Sequence, residues 1–223
     1  MAFAPALPVI VLALVFLGIA IRRIGRLTLR IWQIMLAGAV AVLVTGQISP
    51  ASAVRAINLD VMIFLFGMFV VGVALHESGY LLSLATRIFY HARTTERLLL
   101  LFIFSVGILS ALLMNDTIAI IGTPLALYFA RANRMQPRLL LLALAFSVTT
   151  GSVVSPIGNP QNLLVALHGS LGNPFITFAR FLAIPTAICL ALVYLFLRVA
   201  FRREAWDRDP EFAREPVKDV RLA

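Results

Sequence analysis

Apolar stretches separated by short polar or basic segments set the pattern of this chain. The first runs from Phe3 to Ile21. Nineteen helical residues cover about 28 Å, close to the ~30 Å hydrocarbon core of a bilayer. Arg22, Arg23, Arg26 and Arg30 follow this run and no basic segment precedes it, so it reads as a retained span rather than a signal peptide. The second run, Ile31 to Ile48, closes at Ser49–Pro50. The third, Ile57 to Leu75, carries Asp60 near its outer end and stops at His76, Glu77, Ser78 and Gly79. Tyr80 to Tyr90 is shorter and mixed, with Arg87 on it, and predicts an amphipathic helix in the interface.

The next two stretches are interrupted. Leu98 to Ala130 is too long for one crossing and is broken at Asn115–Asp116–Thr117. Arg87, Arg93 and Arg97 precede it; Arg131, Arg134 and Arg138 follow it. Basic residues collect in short cytoplasmic loops, so both flanks are expected inside. The segment must enter and return. Its arms, about 16 and 14 residues, fall a little short of a crossing. They predict a re-entrant hairpin over 98–130, with two tight full spans as the alternative. Leu139 to Leu171 is broken by Ser155-Pro156-Ile157-Gly158-Asn159-Pro160-Gln161-Asn162 and ends at Gly172–Asn173–Pro174. It must still cross if the chain end lies inside, which makes it a broken helix. Phe175 to Phe201 is the last span. Residues 202–223 mix six basic with six acidic residues and two prolines, and predict a charged cytoplasmic linker or tail.

The expected fold is therefore all-α and polytopic. About five helices cross, with the hairpin and the broken helix besides. Residues 1–97 form scaffold-like spans and the interfacial helix, 98–171 the transport elements and 172–201 the last span.

Composition agrees and removes other classes. Of the 223 residues 61% are hydrophobic and 13% charged, half the charge of an ordinary soluble domain. The mean hydropathy is +0.97. A net charge of +9 would suit nucleic acid. However, residues 1–201 hold 13 basic side chains, ten of them in segments 22–30, 76–97 and 131–138. That is positive-inside bias, and no nucleic-acid partner is expected. Cys189 is the lone cysteine and makes no disulfide framework. No nucleotide loop, G-x-S-x-G or H-E-x-x-H motif occurs, so an enzyme is not expected.

Unpartnered backbone costs several kcal/mol in hydrocarbon, so a broken helix survives only inside protein or beside a wet cavity. Half-helix N-termini suit anions; unwound carbonyls suit sodium or protons. Two polar breaks at mid-membrane are the expected layout of a substrate and coupling-ion site.

The run MNDTIAIIGTPLALYFAR followed by TTGSVVSPIGNPQNLLVA resembles the ion transporter superfamily. That group includes divalent anion:sodium symporters, citrate transporters, the arsenite pump membrane subunit and a sodium/proton antiporter branch. The resemblance covers 98–165 and implies a hairpin tip facing a broken helix. It implies that Asn115 faces sodium and substrate, with Asp116 and Thr117 beside it. Thr149, Thr150, Gly151 and Ser152 lie where the broken helix approaches the ion. Ser155, Pro156, Gly158, Asn159, Pro160 and Asn162 match the loop. Met114 stands where the symporters have Ser, and Asp116 where they have Thr. Sodium and proton coupling both stay open. No cofactor is implied beyond the coupling ion.

Each residue also has a plainer role. Asp116 could cap the second arm. The Asn159 and Asn162 amides could serve the unwound backbone. Pro156 and Pro160 set shape, and Gly158 permits a close approach or a positive φ. Asp60, His168 and Arg180 read as interface residues near helix ends.

The resemblance implies an anion permease for di- or tricarboxylates or an inorganic oxyanion, working by elevator-type alternating access. Its partners are the bilayer, a small anionic solute and, in this family, a second copy. The expected location is a bacterial inner membrane, and the bias puts the N-terminus outside and the C-terminus in the cytoplasm. Rival readings are a sodium/proton antiporter and a non-transporting accessory subunit. Three spans, a hairpin, a broken helix and one more span are one repeat of an inverted pair. The missing C-terminal half, or a second chain, is expected to complete the site.

Overall fold

The computed structural model describes residues 6–21, 23–24, 27–89, 92 and 94–203. The start of the first span (residues 3–5), Arg22, Arg26, Tyr90, Arg93 and the tail 204–223 lie outside the described residues. The chain divides into two compact units, Met1–Leu59 and Asp60–Ala223.

In the first unit, α1 (Ala6–Ile21) and α2 (Ile31–Val44) pack on each other. A two-residue antiparallel ladder joins them, β1 (Arg23–Ile24) with β2 (Leu27–Thr28). α1 is described over 16 residues, and α2, at 14, is shorter than the run from Ile31 to Ile48 that the apolar pattern marks. The second run stops early because the Thr45 hydroxyl turns back onto Ala41 O at 2.8 Å, and Gly46 follows with φ 69°. α3 (Pro50–Arg55) starts on a Ser49 cap and Pro50.

The second unit begins with α4 (Leu59–Glu77), which buries only Val61 and Gly72. α5 (Tyr80–Phe89) is amphipathic as expected. Its stripe Leu81, Ala85 and Phe89 is buried, at the i, i+4, i+8 spacing of one helix face. Phe89 sits on Phe102 and edge-on to Phe129, at centroid distances of 5.8 and 4.8 Å. The end of α5 at Phe89 thus packs on both hairpin arms.

The hairpin is present as α6 (Thr95–Leu113) and α7 (Asn115–Ala132) with Met114 alone between them. Its arms are 19 and 18 residues, longer than the 16 and 14 read from the apolar run. Polar ends join the helices. The Thr94 hydroxyl accepts from Arg97 N and begins α6 ahead of the apolar residues.

α8 (Pro137–Gly151) runs into a 3-10 turn, Ser152–Val154, and α9 (Pro160–His168) resumes after five loop residues. α10 (Pro174–Ala200) closes the unit. α8 is the central element, packed on α6, α7 and α10. Its Leu139 and Leu140 are fully buried, as are Leu98, Leu99 and Ile103 of α6 and Ala126 of α7. Glu96 at the base of α6 pairs with Arg198 of α10 at 3.1 Å and accepts the Tyr194 hydroxyl. Tyr194 and Arg198 are one turn apart on α10, so a single carboxylate holds that face to the hairpin base.

Among the described residues, four helices are long and apolar enough to cross a membrane: α4, α6, α8 with its 3-10 turn, and α10. The fold is all-α and polytopic. The broken helix expected at 155–162 starts to unwind earlier, at Ser152, and restarts at Pro160.

Candidate functional site

The two polar breaks meet. The Asn115 N–H, the first of α7, donates to Gly158 O in the 155–159 loop at 2.9 Å. Helix N-termini leave N–H groups without intrahelical partners. Here one is satisfied by the other break. The Asn115 side chain folds back and accepts from Asp116 N at 2.8 Å. Met114 holds the N-cap position of α7 and no side-chain cap bond forms there, so the capping role open to Asp116 is not taken up. The Asp116 carboxylate is exposed.

Met114 carries the turn. It is fully buried at φ 70°, ψ 141°. Left-handed φ is uncommon outside glycine, and strain of this kind clusters at functional turns. The exchange Met114→Leu should cost less than about 1.5 kcal/mol, since volume and rotamer freedom are similar. Met114→Ile keeps the hydrophobicity but branches at Cβ, where positive φ is a true outlier. It should be worse than Leu by about 1–2 kcal/mol. Thermal unfolding of the two variants checks this; equal midpoints would sink it.

Thr117, one turn into α7, is 3% exposed, and its hydroxyl has no hydrogen-bond partner. Its methyl group fills the space above Gly72 of α4. On α8, the Ser147 hydroxyl is likewise fully buried without a partner. Ser110 of α6 donates to Val148 O at 2.7 Å.

The loop is held from within. Asn159 caps α9, its Oδ1 accepting from Asn162 N at 2.8 Å. Its Nδ2 donates to Ser152 Oγ at 3.3 Å, and Ser152 Oγ donates to Thr149 O at 3.0 Å. Asn162 Nδ2 reaches three carbonyls, Ser155 O at 2.9 Å, Val153 O at 3.1 Å and Ser152 O at 3.3 Å. Both amide nitrogens serve the unwound backbone. Ser155 Oγ accepts from Ile157 N at 3.3 Å. Pro156 is buried in the turn, and Pro160 occupies the first turn of α9, where its missing N–H costs nothing.

Gly158 is there for close approach, since a Cβ would fall 2.0 Å from Ser152 O. The described glycines with positive φ are Gly46 and Gly79. Gly151 serves the crossing of α8 over α6, where its Cβ would meet Gly107 O at 2.2 Å. Thr149 is exposed and bonds back to Ala145 O at 2.9 Å; Thr150 is half-buried beside it.

Of the expected site residues, then, Asn115 and Gly158 are joined directly. Ser152, Asn159 and Asn162 make one hydrogen-bonded cluster. Asp116 is exposed at the tip and Thr117 is turned toward α4. Residues 98–130 and 139–179 contain no Lys or Arg, so Asp116 is the one full charge carried by the two broken segments. Sequence reasoning missed Met114 as the strained hinge, Gly107 as the partner of Gly151, and Ser110 and Ser147. A small residue at helical spacing, Gly107 to Ser110, was the available signal for the first crossing. His168 bonds back to Leu164 O at 3.0 Å, and His76 lies 3.6 Å from Glu77. Among the described residues no cluster of three metal-ligating side chains occurs.

The citrate transporter family model matches residues 10–222. The silicon efflux transporter LSI3 of Oryza sativa is 34% identical over 143 residues, 64% of this chain and 29% of that protein. The inner membrane protein YbiR of Escherichia coli is 28% identical over 170 residues, 75% of this chain and 44% of that protein. The P protein of Homo sapiens is 26% identical over 167 residues, 73% of this chain and 20% of that protein. The chain spans less than half the length of each of these relatives. No solved structure matches it.

Proposed function

The chain belongs to the citrate transporter family, and on that premise we propose that it supplies one half of a secondary-active anion transporter. It is a multi-pass membrane protein with relatives named as transporters. The observation that carries the proposal is the Asn115 N–Gly158 O hydrogen bond. It brings a half-helix N-terminus and an unwound carbonyl loop to one point, which supports a site there for an anion and its coupling ion. The family name and the rice relative's name support a carboxylate or a hydroxylated oxyacid as cargo. The hairpin is re-entrant in this reading on the strength of its polar tip and of its second arm, which is not among the four apolar spans, whereas the first arm, α6, is long enough to cross. The arginine bias supports an N-terminus outside and a C-terminus inside, and the name of the Escherichia coli relative supports an inner membrane. Alternating access moves the hairpin and broken helix against the earlier spans, and an inverted second half, with a homodimer beyond it, completes the site.

Asp116 decides the coupling. An exposed carboxylate at the tip is suited to a proton or a monovalent cation, and would oppose a lone multivalent anion. Uptake of labelled citrate, succinate, sulfate, arsenite and silicic acid is measured in membrane vesicles from cells making the protein as it natively occurs. Asn115→Ala is expected to abolish uptake of one of these. Asp116→Asn is expected to remove dependence on the pH or sodium gradient. Exchange of protons for sodium with no dependence on any of the five solutes favours the antiporter. No gradient-driven flux of any kind would refute transport.

A further inference from the structure

We propose that the cleft between α5 and the two hairpin arms holds the end of one acyl chain of an anionic phospholipid. The cleft is partly enclosed and offers about 40 Å³. Leu84 and Ile88 of α5, Val106 and Leu109 of α6, and Ile118 and Ile121 of α7 face it. The polar side chain on its wall is Ser105, whose hydroxyl already donates to Leu101 O. A water there would lack the two to four polar partners it needs, and apolar cavities stay dry while accepting apolar guests. The chain is a membrane protein, so the apolar guest at hand is the lipid around it.

Charge selects the headgroup. Phe89, at the end of α5, rests on Phe102 and Phe129, which places that end of α5 beside the open end of the hairpin. Arg87 lies in the last turn of α5, Arg97 in the first turn of α6 and Arg131 in the last turn of α7. All three are exposed. Three exposed arginines at one end of an apolar cleft match a phosphate at one end of an acyl chain. The bound chain end wedges α5 against the tip-side halves of both arms, where Leu109 and Ile118 lie within five residues of Met114, so the lipid acts on the hairpin close to its tip.

The test reconstitutes the full chain in phosphatidylethanolamine vesicles containing phosphatidylglycerol with a diazirine at the end of one acyl chain. After irradiation, labelled positions are mapped by peptide mass. Leu84, Ile88, Val106 and Ile121 are expected to label above Ile108 and Leu112, which are 61% and 59% exposed on the outer side of α6. Ala85→Phe fills the cleft and should lower labelling of its walls about tenfold, leaving Ile108 and Leu112 unchanged. Ser105→Leu is the second filling variant should Ala85→Phe fail to fold. Phosphatidylcholine with the same chain is expected to label the walls several-fold less. Wall labelling no greater than at Ile108 and Leu112, or unchanged in a folded filling variant, would overturn the site. Equal labelling from the two headgroups would overturn the arginine assignment.

Discussion

Replacing Gly151 by alanine is expected to destabilise the protein by about 3 kcal/mol or more, the upper range for overpacking. The added Cβ would lie 2.2 Å from Gly107 O and 2.3 Å from Gly107 Cα. Both atoms are backbone, so no side chain can rotate away, and α8 must lift off α6. The lift would also stretch the Ser110 Oγ–Val148 O bond, which lies in the same crossing. The change is felt beyond the two helices, because α8 is the element on which α6, α7 and α10 all pack. Gly67 of α4 is the control. A Cβ there meets nothing within 4 Å. Alanine at 67 should be neutral or stabilising by up to about 1 kcal/mol, the helix-propensity gain alone. Thermal unfolding of both variants in detergent, followed by far-UV circular dichroism, separates them. Equal midpoints would mean that the crossing has slack it is not expected to have.

That crossing marks the limit of what the sequence could say. Apolar length and the arginine-rich loops located α4, the hairpin, the broken helix and α10, because hydrocarbon imposes one length and one composition on anything that crosses it. The polar insertions at 115–117 and 155–162 were visible for the same reason: a polar break inside an apolar run has few structural uses. Helix ends were less legible. Thr95 to Arg97 look like a loop by hydropathy, yet Thr94 caps them into α6. Pairing between distant residues was not legible in the local pattern; the family resemblance alone implied that the hairpin tip faces the broken helix. Nothing in the local pattern joins Gly107 to Gly151, Glu96 to Arg198, or Asn115 N to Gly158 O. The same limit applied to the amides. Asn159 and Asn162 carried two readings because an amide can bind a solute or a backbone. Only the distances to Ser152, Val153 and Ser155 assign both nitrogens to the loop.

Those distances make Asn162 the second large prediction. Its amide nitrogen has two hydrogens for three carbonyls, so the group sits as a positive pole at the centre of the broken turn. Asn162→Ala leaves the three carbonyls without that donor and should cost about 1–3 kcal/mol, the usual range for unsatisfied buried groups. Asn162→Asp keeps the shape and reverses the pole. Whichever oxygen takes the place of Nδ2 then faces three carbonyl oxygens, one of them only 2.9 Å away. The aspartate should therefore be worse than alanine, by about 2 kcal/mol or more at neutral pH. The gap should close as the pH falls, since the protonated acid regains one donor. The sign follows from the environment: acceptors around a carboxyl favour its neutral form and raise its pKa. The introduced acid thus binds its proton more tightly when folded, and lowering the pH must stabilise the variant relative to alanine. Hydrogen exchange over residues 152–162, at neutral and acid pH, reads this directly. Faster exchange in the aspartate variant at neutral pH, slowing in acid, is the expected pattern. An aspartate variant as protected as the wild type at neutral pH would mean that a bound cation replaces the lost donor. The loop would then hold an ion by its carbonyls, and Asn162 would be a substitute for that ion instead of a fixed brace.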